Sequence, residues 1–585
     1  MLWTSVGAAA LAVGCASPLE TTTQEALRRE LVQSHRKYLE AVAAGPVIEL
    51  SRAPSAVEQS LREEGLVEQL DAVSGPGAYQ EEPLDLGPNL LGEANTSVVT
   101  VSLQQVLQMA AKNNLDIQLA RIRPAITEAQ IVQAEAVFDA IYFANYEYAN
   151  LDQPGVPGLF AGFGGDTRER AFLFTTGIRK TLSTGGQISV ETQTGRTFRE
   201  PSTTTINTFD TANLSVNIVQ PLLRNFGSDV TLAEVYLTRN ARAADVQALR
   251  QTMLDIIAQT EQAYWDLYLA RQQLLIQLRL LQRTEEDLQV LIRRRELDVP
   301  VVAITEARAA VEQRRFDVIQ ARQRVRLTSD RLKQLINDPD LPVSGEALLL
   351  PADAPADMPI EFSLVDAVTT ALQERPEMQR ALLAISDASI RLRVADNQRL
   401  PELNLAATVR FSGLGDSTDD AYGEMFEGDF IDFLLSAQFQ VPIGNRGPEA
   451  QYRRFQLERQ ATVINYQRIG QAVVLEVKDA LRQLTAAYEL IGAARAARRA
   501  AADNLRAIYA QEEAGVALTP EFIDLKLRRQ EALARFEIEE IQALTNYNTA
   551  VAQFYRSIGT LLKRNGIIFS EAPVVDTPAD LPKVQ

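Results

Sequence analysis

The sequence predicts a mainly α fold with membrane-type β-strands, laid out twice along one chain. Three observations carry the prediction: a gapless internal repeat, helical stretches of unusual length, and short islands of alternating strands between them.

The N-terminus reads first, as an export leader. Residues Leu2 to Gly14 are apolar or small and too few to span a membrane as a mature helix. They run into Leu11-Ala12-Val13-Gly14-Cys15-Ala16-Ser17, which resembles a lipoprotein cleavage box with Cys15 as the lipidated residue. The leucine stands one place early, and no Lys or Arg precedes the apolar run. The alternative for Cys15 is a lone buried cysteine. Thr23 to Ala43 is amphipathic, and Gly75 to Leu91 is a Pro/Gly-rich linker.

The repeat follows. Ser102-Leu103-Gln104-Gln105-Val106 through Asn114 recurs without gaps as Ser363-Leu364-Val365-Asp366-Ala367 through Arg375. Each copy continues as a helix, Leu115 to Val137 and Pro376 to Gln398, and then turns into strands. The return strands end in Val219-Gln220-Pro221-Leu222 and Gln440-Val441-Pro442-Ile443. A long helix, a tight break and a second helix close each copy.

Between Gly227 and Pro300 there is neither Gly nor Pro, so nothing interrupts a helix of ~70 residues, or ~105 Å. Met253, Ile256, Thr260, Ala263, Leu267, Ala270 and Leu274, then Leu281, Leu288 and Leu291, keep the 3-4 spacing of a coiled-coil seam. Val301 to Asp338 adds ~57 Å and Leu115 to Val137 ~35 Å, so two shorter helices end to end match the long one. Pro124 is expected to kink the latter. In the second copy, Glu449 to Ala514 and Thr519 to Ile558 repeat the arithmetic, with Val474, Val477, Leu481, Leu484, Tyr488 and Ile491 in phase. Such helices cannot bury enough apolar surface alone and need neighbours.

The strands alternate. Tyr142, Ala144, Tyr146 and Tyr148 share one face; Leu214, Val216 and Ile218 alternate with Ser215 and Asn217. Leu403 to Phe411 and Phe433 to Val441 do the same, with aromatics in the pattern of lipid-out, lumen-in barrel strands. The rival reading is a soluble sandwich, which fits poorly with islands between ~100 Å helices. Four strands cannot close a barrel, whereas three chains would supply twelve. A further hairpin, Ala171 to Leu182 and Gln187 to Phe198 around Thr184-Gly185-Gly186, gives six strands per chain, and either widens the barrel to eighteen or lies outside its wall.

Together these signals divide the chain into a leader at 1–14, an N-terminal extension at 15–100, a first repeat at 101–345, a linker at 346–362, a second repeat at 363–565 and a tail at 566–585 expected to be disordered.

Composition narrows the function. The charges sum to 58 − 76 = −18, against the basic face a nucleic-acid binder needs. The one histidine, His35, and the one cysteine, Cys15, both lie near the N-terminus. No His/Cys metal cluster, Cys nucleophile or His-based triad can therefore be assembled from the main body. Carboxylate catalysis has acids to draw on but no pocket-forming α/β pattern. Gly162-Phe163-Gly164-Gly165 does not open a helix after a strand and reads as a loop. No enzyme, metal or cofactor is expected.

The two Ser-Leu-x-x-[AV] openings, the strand-Pro-Leu exit at Pro221-Leu222 and the pentad Val302-Ala303-Ile304-Thr305-Glu306 at the first hairpin tip resemble the TolC family of outer-membrane efflux proteins, over roughly residues 100 to 562. The resemblance implies a homotrimer with a shared barrel in the lipids of the outer membrane of a Gram-negative-type bacterium. Its helices would form a large periplasmic tunnel, with each half of the chain an outer-membrane-efflux repeat. It implies a passive exit duct for a tripartite efflux or type I secretion system, fed by an inner-membrane transporter through a periplasmic adaptor (a membrane fusion protein). An adaptor itself, the rival from another class, needs one hairpin inserted in lipoyl-like domains, and here the hairpin is duplicated.

Further site residues follow from the resemblance. The adaptor would contact the tips at Val302 to Glu306 and at Gly515, Val516, Ala517, Leu518 and Thr519. Glu521 and Asp524, six and nine positions after Gly515, resemble the spacing of the family's acidic constriction ring. Being i and i+3 they share a helix face, and threefold symmetry would gather six carboxylates. The competing explanation is that Glu521 merely favours the positive end of a helix capped by Thr519, with Pro520 at its first position. Pro300 stands where the family has a glycine, and the family's locking Tyr and Arg are replaced by Glu512 and Ala517.

Overall fold

The two serine-led openings fold as helix caps. In the computed structural model, Ser102 accepts the Gln105 backbone N–H while Gln105 reaches back to the Ser102 N–H, a capping box. Ser363 accepts the Asp366 N–H in the same way. Residues 47–78, 84, 86–88, 90, 97–153, 167–200, 208–295 and 299–569 are described. Cys15, the leader, the 23–43 amphipathic stretch, the Gly162 loop and most of the tail lie outside them.

The elements run β1 (Val47–Glu49), α1 (Ala56–Glu63), α2 (Val67–Ser74), β2 (Val98–Val101), α3 (Leu103–Asn113), α4 (Leu115–Glu135), β3 (Ile141–Gln153), β4 (Thr167–Thr181), β5 (Gln187–Glu200), β6 (Thr208–Pro221), α5 (Ala233–Arg293) and α6 (Val301–Ile336). Then follow β7 (Leu348–Pro351), β8 (Glu361–Ser363), α7 (Leu364–Glu374), α8 (Pro376–Asn397), β9 (Glu402–Gly415), α9 (Thr418–Glu427), β10 (Ile431–Gln440), α10 (Arg446–Glu513) and α11 (Pro520–Ser557). After each capped serine come two helices, then strands, then a long helix and a second helix; the first half has four strands in succession, the second two with α9 between them.

The described residues divide into two units, one within 124–244 and 381–465, the other within 47–123, 245–380 and 466–569. The first unit holds one antiparallel sheet in the order β10-β9-β6-β5-β4-β3. The additional hairpin predicted around Gly185 is therefore part of the sheet, as β4 and β5. Register puts Tyr142, Ile178, Val190, Val216, Val409 and Phe433 in one cross-strand row. Another row, on the opposite face, holds Asn145, Thr175, Gln193, Asn213 and Ser412. One face is thus apolar and the other polar, as the period-2 pattern requires. The apolar face is open: Tyr142, Phe433 and Leu435 are 68%, 78% and 72% exposed. Strands β3 and β10 each have one neighbour in this sheet, and every residue of β10 is exposed.

Helices make up most of the second unit. Most of the predicted α5 seam is buried, with Thr260, Leu267 and Leu274 fully covered, while Ala263, Leu281 and Leu288 are half-buried. The C-terminus of α6 meets the start of α4 through two amides: Asn114 Nδ2 donates to Leu335 O at 2.9 Å and Asn337 Nδ2 to Asn113 O at 3.0 Å. Asn337 itself takes the left-handed conformation that ends α6. At the matching place in the second half, Arg375 Nη1 donates to Ser557 O at the end of α11. Pro124 is accommodated inside α4.

Two small sheets close this unit. β2 pairs in parallel with β7, so the 346–362 linker carries a strand, and β8 pairs antiparallel with β1 of the N-terminal extension. Helices α1 and α2 then pack Leu61 and Leu70 on Ala501, Ala502 and Leu505 of α10 and Leu533 of α11. Among the described residues no helix is long and apolar enough to cross a membrane.

Candidate channel mouth and its hairpin tips

The two predicted tips meet in one apolar cluster. Leu291 and Val299, at the turn from α5 to α6, join Ala303, Ile304 and Ala307 of α6, and Ile508, Leu518, Phe522, Ile523 and Leu527 of the second hairpin. The pentad therefore splits by helical phase. Ala303 and Ile304 are buried anchors, whereas Val302, Thr305 and Glu306 face outward. Pro300 caps α6, its φ of −65° matching the extended approach to the helix.

The second tip turns at Gly515, whose φ of +85° is a conformation only glycine adopts without strain. Val516, Ala517 and Thr519 are exposed and Leu518 is buried. Thr519 accepts the Phe522 N–H at 3.3 Å, and Pro520 takes the first helical position.

Glu521 is exposed and Asp524 half-buried, one turn apart at the start of α11. The structure adds a cation to this pair: Arg528 lies 2.9 Å from Asp524 at i+4. Within one chain the three side chains carry −1 − 1 + 1 = −1. A ring built from them is therefore half as acidic as the two carboxylates alone imply.

Sequence reasoning missed the tie beside this pair. Lys526, only 5% exposed, reaches Asp287 of α5 at 2.8 Å and Glu512 of α10 at 2.6 Å, and lies over the Tyr509 ring. Gln530 adds bonds to Asp287 Oδ2 and the Tyr509 hydroxyl. One ammonium thus joins both hairpins. Burial alone would push it down, but Asp287 and Glu512 outweigh burial and hold its pKa above the ordinary lysine value. Glu512, noted from sequence only as the replacement for a family residue, is one of its anchors.

A second buried network lies along α10. Arg498 and Glu540, each 1% exposed, form a salt bridge, and Arg495 donates to the other Glu540 oxygen at 2.8 Å. Arg498 and Arg499 also hold Asp71, and Arg499 holds Glu58, so acids of α1 and α2 are clamped onto α10. The described residues contain no cluster of His, Cys, Asp and Glu arranged to hold a metal ion.

Residues 367–560 match the family described as outer membrane efflux protein. No curated protein matches by sequence. Among solved structures, the Campylobacter jejuni CmeC outer membrane channel is similar at a TM-score of 0.57 and 15% identity, over 82% of this chain and 91% of that one. The outer membrane protein VceC of Vibrio cholerae gives 0.55 and 15%, over 78% and 96%. The MtrE outer membrane channel of Neisseria gonorrhoeae, in its open state, gives 0.54 and 16%, over 82% and 98%. Residues 367–560 thus match the outer membrane efflux protein family, and the fold of the chain is similar to that of solved outer membrane channels.

Proposed function

We propose that three copies of this chain assemble into an outer-membrane exit duct, a passive conduit for substrates delivered by an inner-membrane pump through a periplasmic adaptor. The observation that carries this reading is the six-stranded sheet with one apolar and one polar face and two free edges. A contiguous exposed apolar face of this size needs lipid or protein over it. A free edge such as β10, exposed and apolar, needs another strand. Both needs are met if β10 of one copy pairs with β3 of the next. Three copies then give 3 × 6 = 18 strands, an even-numbered antiparallel barrel wide enough for an aqueous lumen. The polar row of Asn145, Thr175, Gln193, Asn213 and Ser412 would line that lumen.

The hairpin tips would supply the surface that meets the adaptor. Val302, Thr305 and Glu306, with Gly515 to Ala517 and Thr519, present the outward surface available to an adaptor, while their buried neighbours Ala303, Ile304 and Leu518 hold the tips in shape. Glu521 and Asp524 would form the acidic constriction, tempered by Arg528. The two halves of the chain follow one plan, which supports a duplication in which each half supplies one hairpin.

The test is the state of the protein extracted from membranes. A trimer from the outer-membrane fraction that conducts ions in a planar bilayer is expected. A soluble monomer with no conductance would remove the proposal. Cysteines at Val302 and Val516 should crosslink a periplasmic partner in the native host.

A further inference from the structure

Helix α9, between β9 and β10, belongs neither to the strands of the sheet nor to the hairpin tips. It lies on the apolar face of the sheet. Ala421 and Met425 are buried against Ala212 of β6, and Ala212 belongs to the face that carries Phe174, Tyr146 and the exposed aromatic band.

The seat is built for it. A Cβ at Gly413 would stand 2.0 Å from the Ala421 carbonyl oxygen, and one at Gly415 2.6 Å from the Ala421 nitrogen, so both strand positions are glycine because the helix backbone rests on them. Asp210, 1% exposed, is held by Arg196 through two 2.7 Å bonds and accepts the Thr418 hydroxyl at 2.7 Å. Glu424 Oε2 accepts the Leu414 N–H at 2.6 Å. Ser417 caps the helix and Gly428 ends it in the left-handed region.

The helix is sided. The Tyr422 hydroxyl lies 3.3 Å from that of Thr192, in the same cross-strand row as Leu214 and Phe411, which pack against the same cluster. The Tyr422 ring stacks on Phe426, which is 75% exposed. On the other flank Asp420 lies beside Gly415, at the end of β9 that leads into the loop. Tyr422 and Phe426 therefore share one flank of the helix, and Asp420 and Glu424 the opposite one.

We infer that α9 is an interfacial helix, seated on the outside of the barrel at the boundary between acyl chains and headgroups of the membrane. The inference rests on the barrel reading above. Its physical basis is that an aromatic flank is stable where apolar and wet surroundings meet, while an acidic flank stays in water. It continues the apolar band rather than covering the polar, lumen-type face.

Tryptophan placed at Phe426 tests this. F426W and, separately, F433W in the middle of the band are reconstituted as full-length protein in liposomes of phosphatidylcholine brominated either near the headgroup or near the chain ends. Fluorescence is read as the difference from the parent, which removes the signal of Trp3 and Trp265. About a twofold or greater loss for F426W in the shallow-brominated lipid, with less in the deep one, is expected of a helix ~5–10 Å into the interface. If F433W is quenched and F426W is not, or if F426W answers to aqueous iodide alone, the helix faces water or a neighbouring copy and the inference falls while the barrel stands. Quenching of F426W only by the deep bromines overturns the interfacial position. If neither tryptophan is quenched, the barrel reading fails and takes this one with it.

Discussion

Lys526 is a buried ammonium with two carboxylate partners on two different helices. Its removal leaves Asp287 and Glu512 close together without a cation, and breaking a buried ion pair by deleting one partner costs on the order of 3 kcal/mol. K526M is therefore expected to lower the melting temperature and to open both tips to limited proteolysis. Adding D287N and E512Q to K526M should recover most of the loss, because no buried charge is then unpaired. The pH dependence has a definite sign. Because the folded pKa is raised, the stabilisation is fully present below the ordinary lysine value of 10.5 and is lost only as pH climbs through the higher folded value. Protease resistance of the tips should thus hold through neutral pH and fail first in strongly alkaline buffer. Glu261 is the opposite case. It is 2% exposed, one of its oxygens has no partner, and burial pushes its pKa up despite Arg564. An acid with a raised folded pKa destabilises increasingly as pH rises through that value, so E261Q is expected to raise the melting temperature at pH 8 and to do less at pH 4.

At the scale of elements, α1 and α2 depend on two arginines. Glu540 is shared by Arg495 and Arg498, and E540A would leave Arg498 to Asp71 and Arg495 to Asp357 alone, a loss of about 3 kcal/mol, the lower end for a broken buried pair. R499A removes the Glu58 contact and one of the two arginines on Asp71 but leaves Arg498 in place, so it should be milder, loosening α1 and α2 so that protease cuts faster near residues 56–74 while the long helices stay intact. Asp71 sets the acid limit of this clamp. Burial alone would raise it, but Arg499 and Arg498 hold it below the usual carboxylate value. Its contribution is present above that value and disappears as pH falls through the lower folded one, so release is expected only in strong acid, by hydrogen exchange of residues 56–74. This clamp was illegible in the sequence because Asp71 and Arg498 are 427 positions apart, and Lys526 and Asp287 239 apart. The seams of α5 and α10 and the alternation of β3, β6, β9 and β10 were legible, since each is a local period. Helix α9 escaped because ten residues containing Gly423, with only Ala421 and Met425 buried, carry too little periodicity to distinguish from a loop. The pentad at the first tip was found as a motif, yet which of its members face outward required the packing of Leu518 and Phe522 against it.

For the whole assembly, the proposed trimer turns small charges into a field. Each chain brings Glu521, Asp524 and Arg528 to the same helix start, so three chains carry 3 × (−1) = −3 there instead of the −6 of the carboxylates alone. The Asp524–Arg528 pair is exposed, and pairs of that kind are worth about 0–1 kcal/mol, so Arg528 acts on ions through its charge more than through any lock on the helix. Two substitutions then have opposite signs in one measurement. Neutralising E521Q with D524N is expected to lower the preference for cations, moving the reversal potential across a salt gradient toward zero and relieving block by divalent cations. R528Q is expected to raise the preference and deepen that block. Both shifts should be clear in 0.1 M salt, where the screening length is ~10 Å, and small in 1 M salt, where it is ~3 Å. Single-channel recordings in which R528Q and the double neutralisation move selectivity the same way, or not at all, would mean that these side chains only tune the start of α11 and that the constriction is built elsewhere.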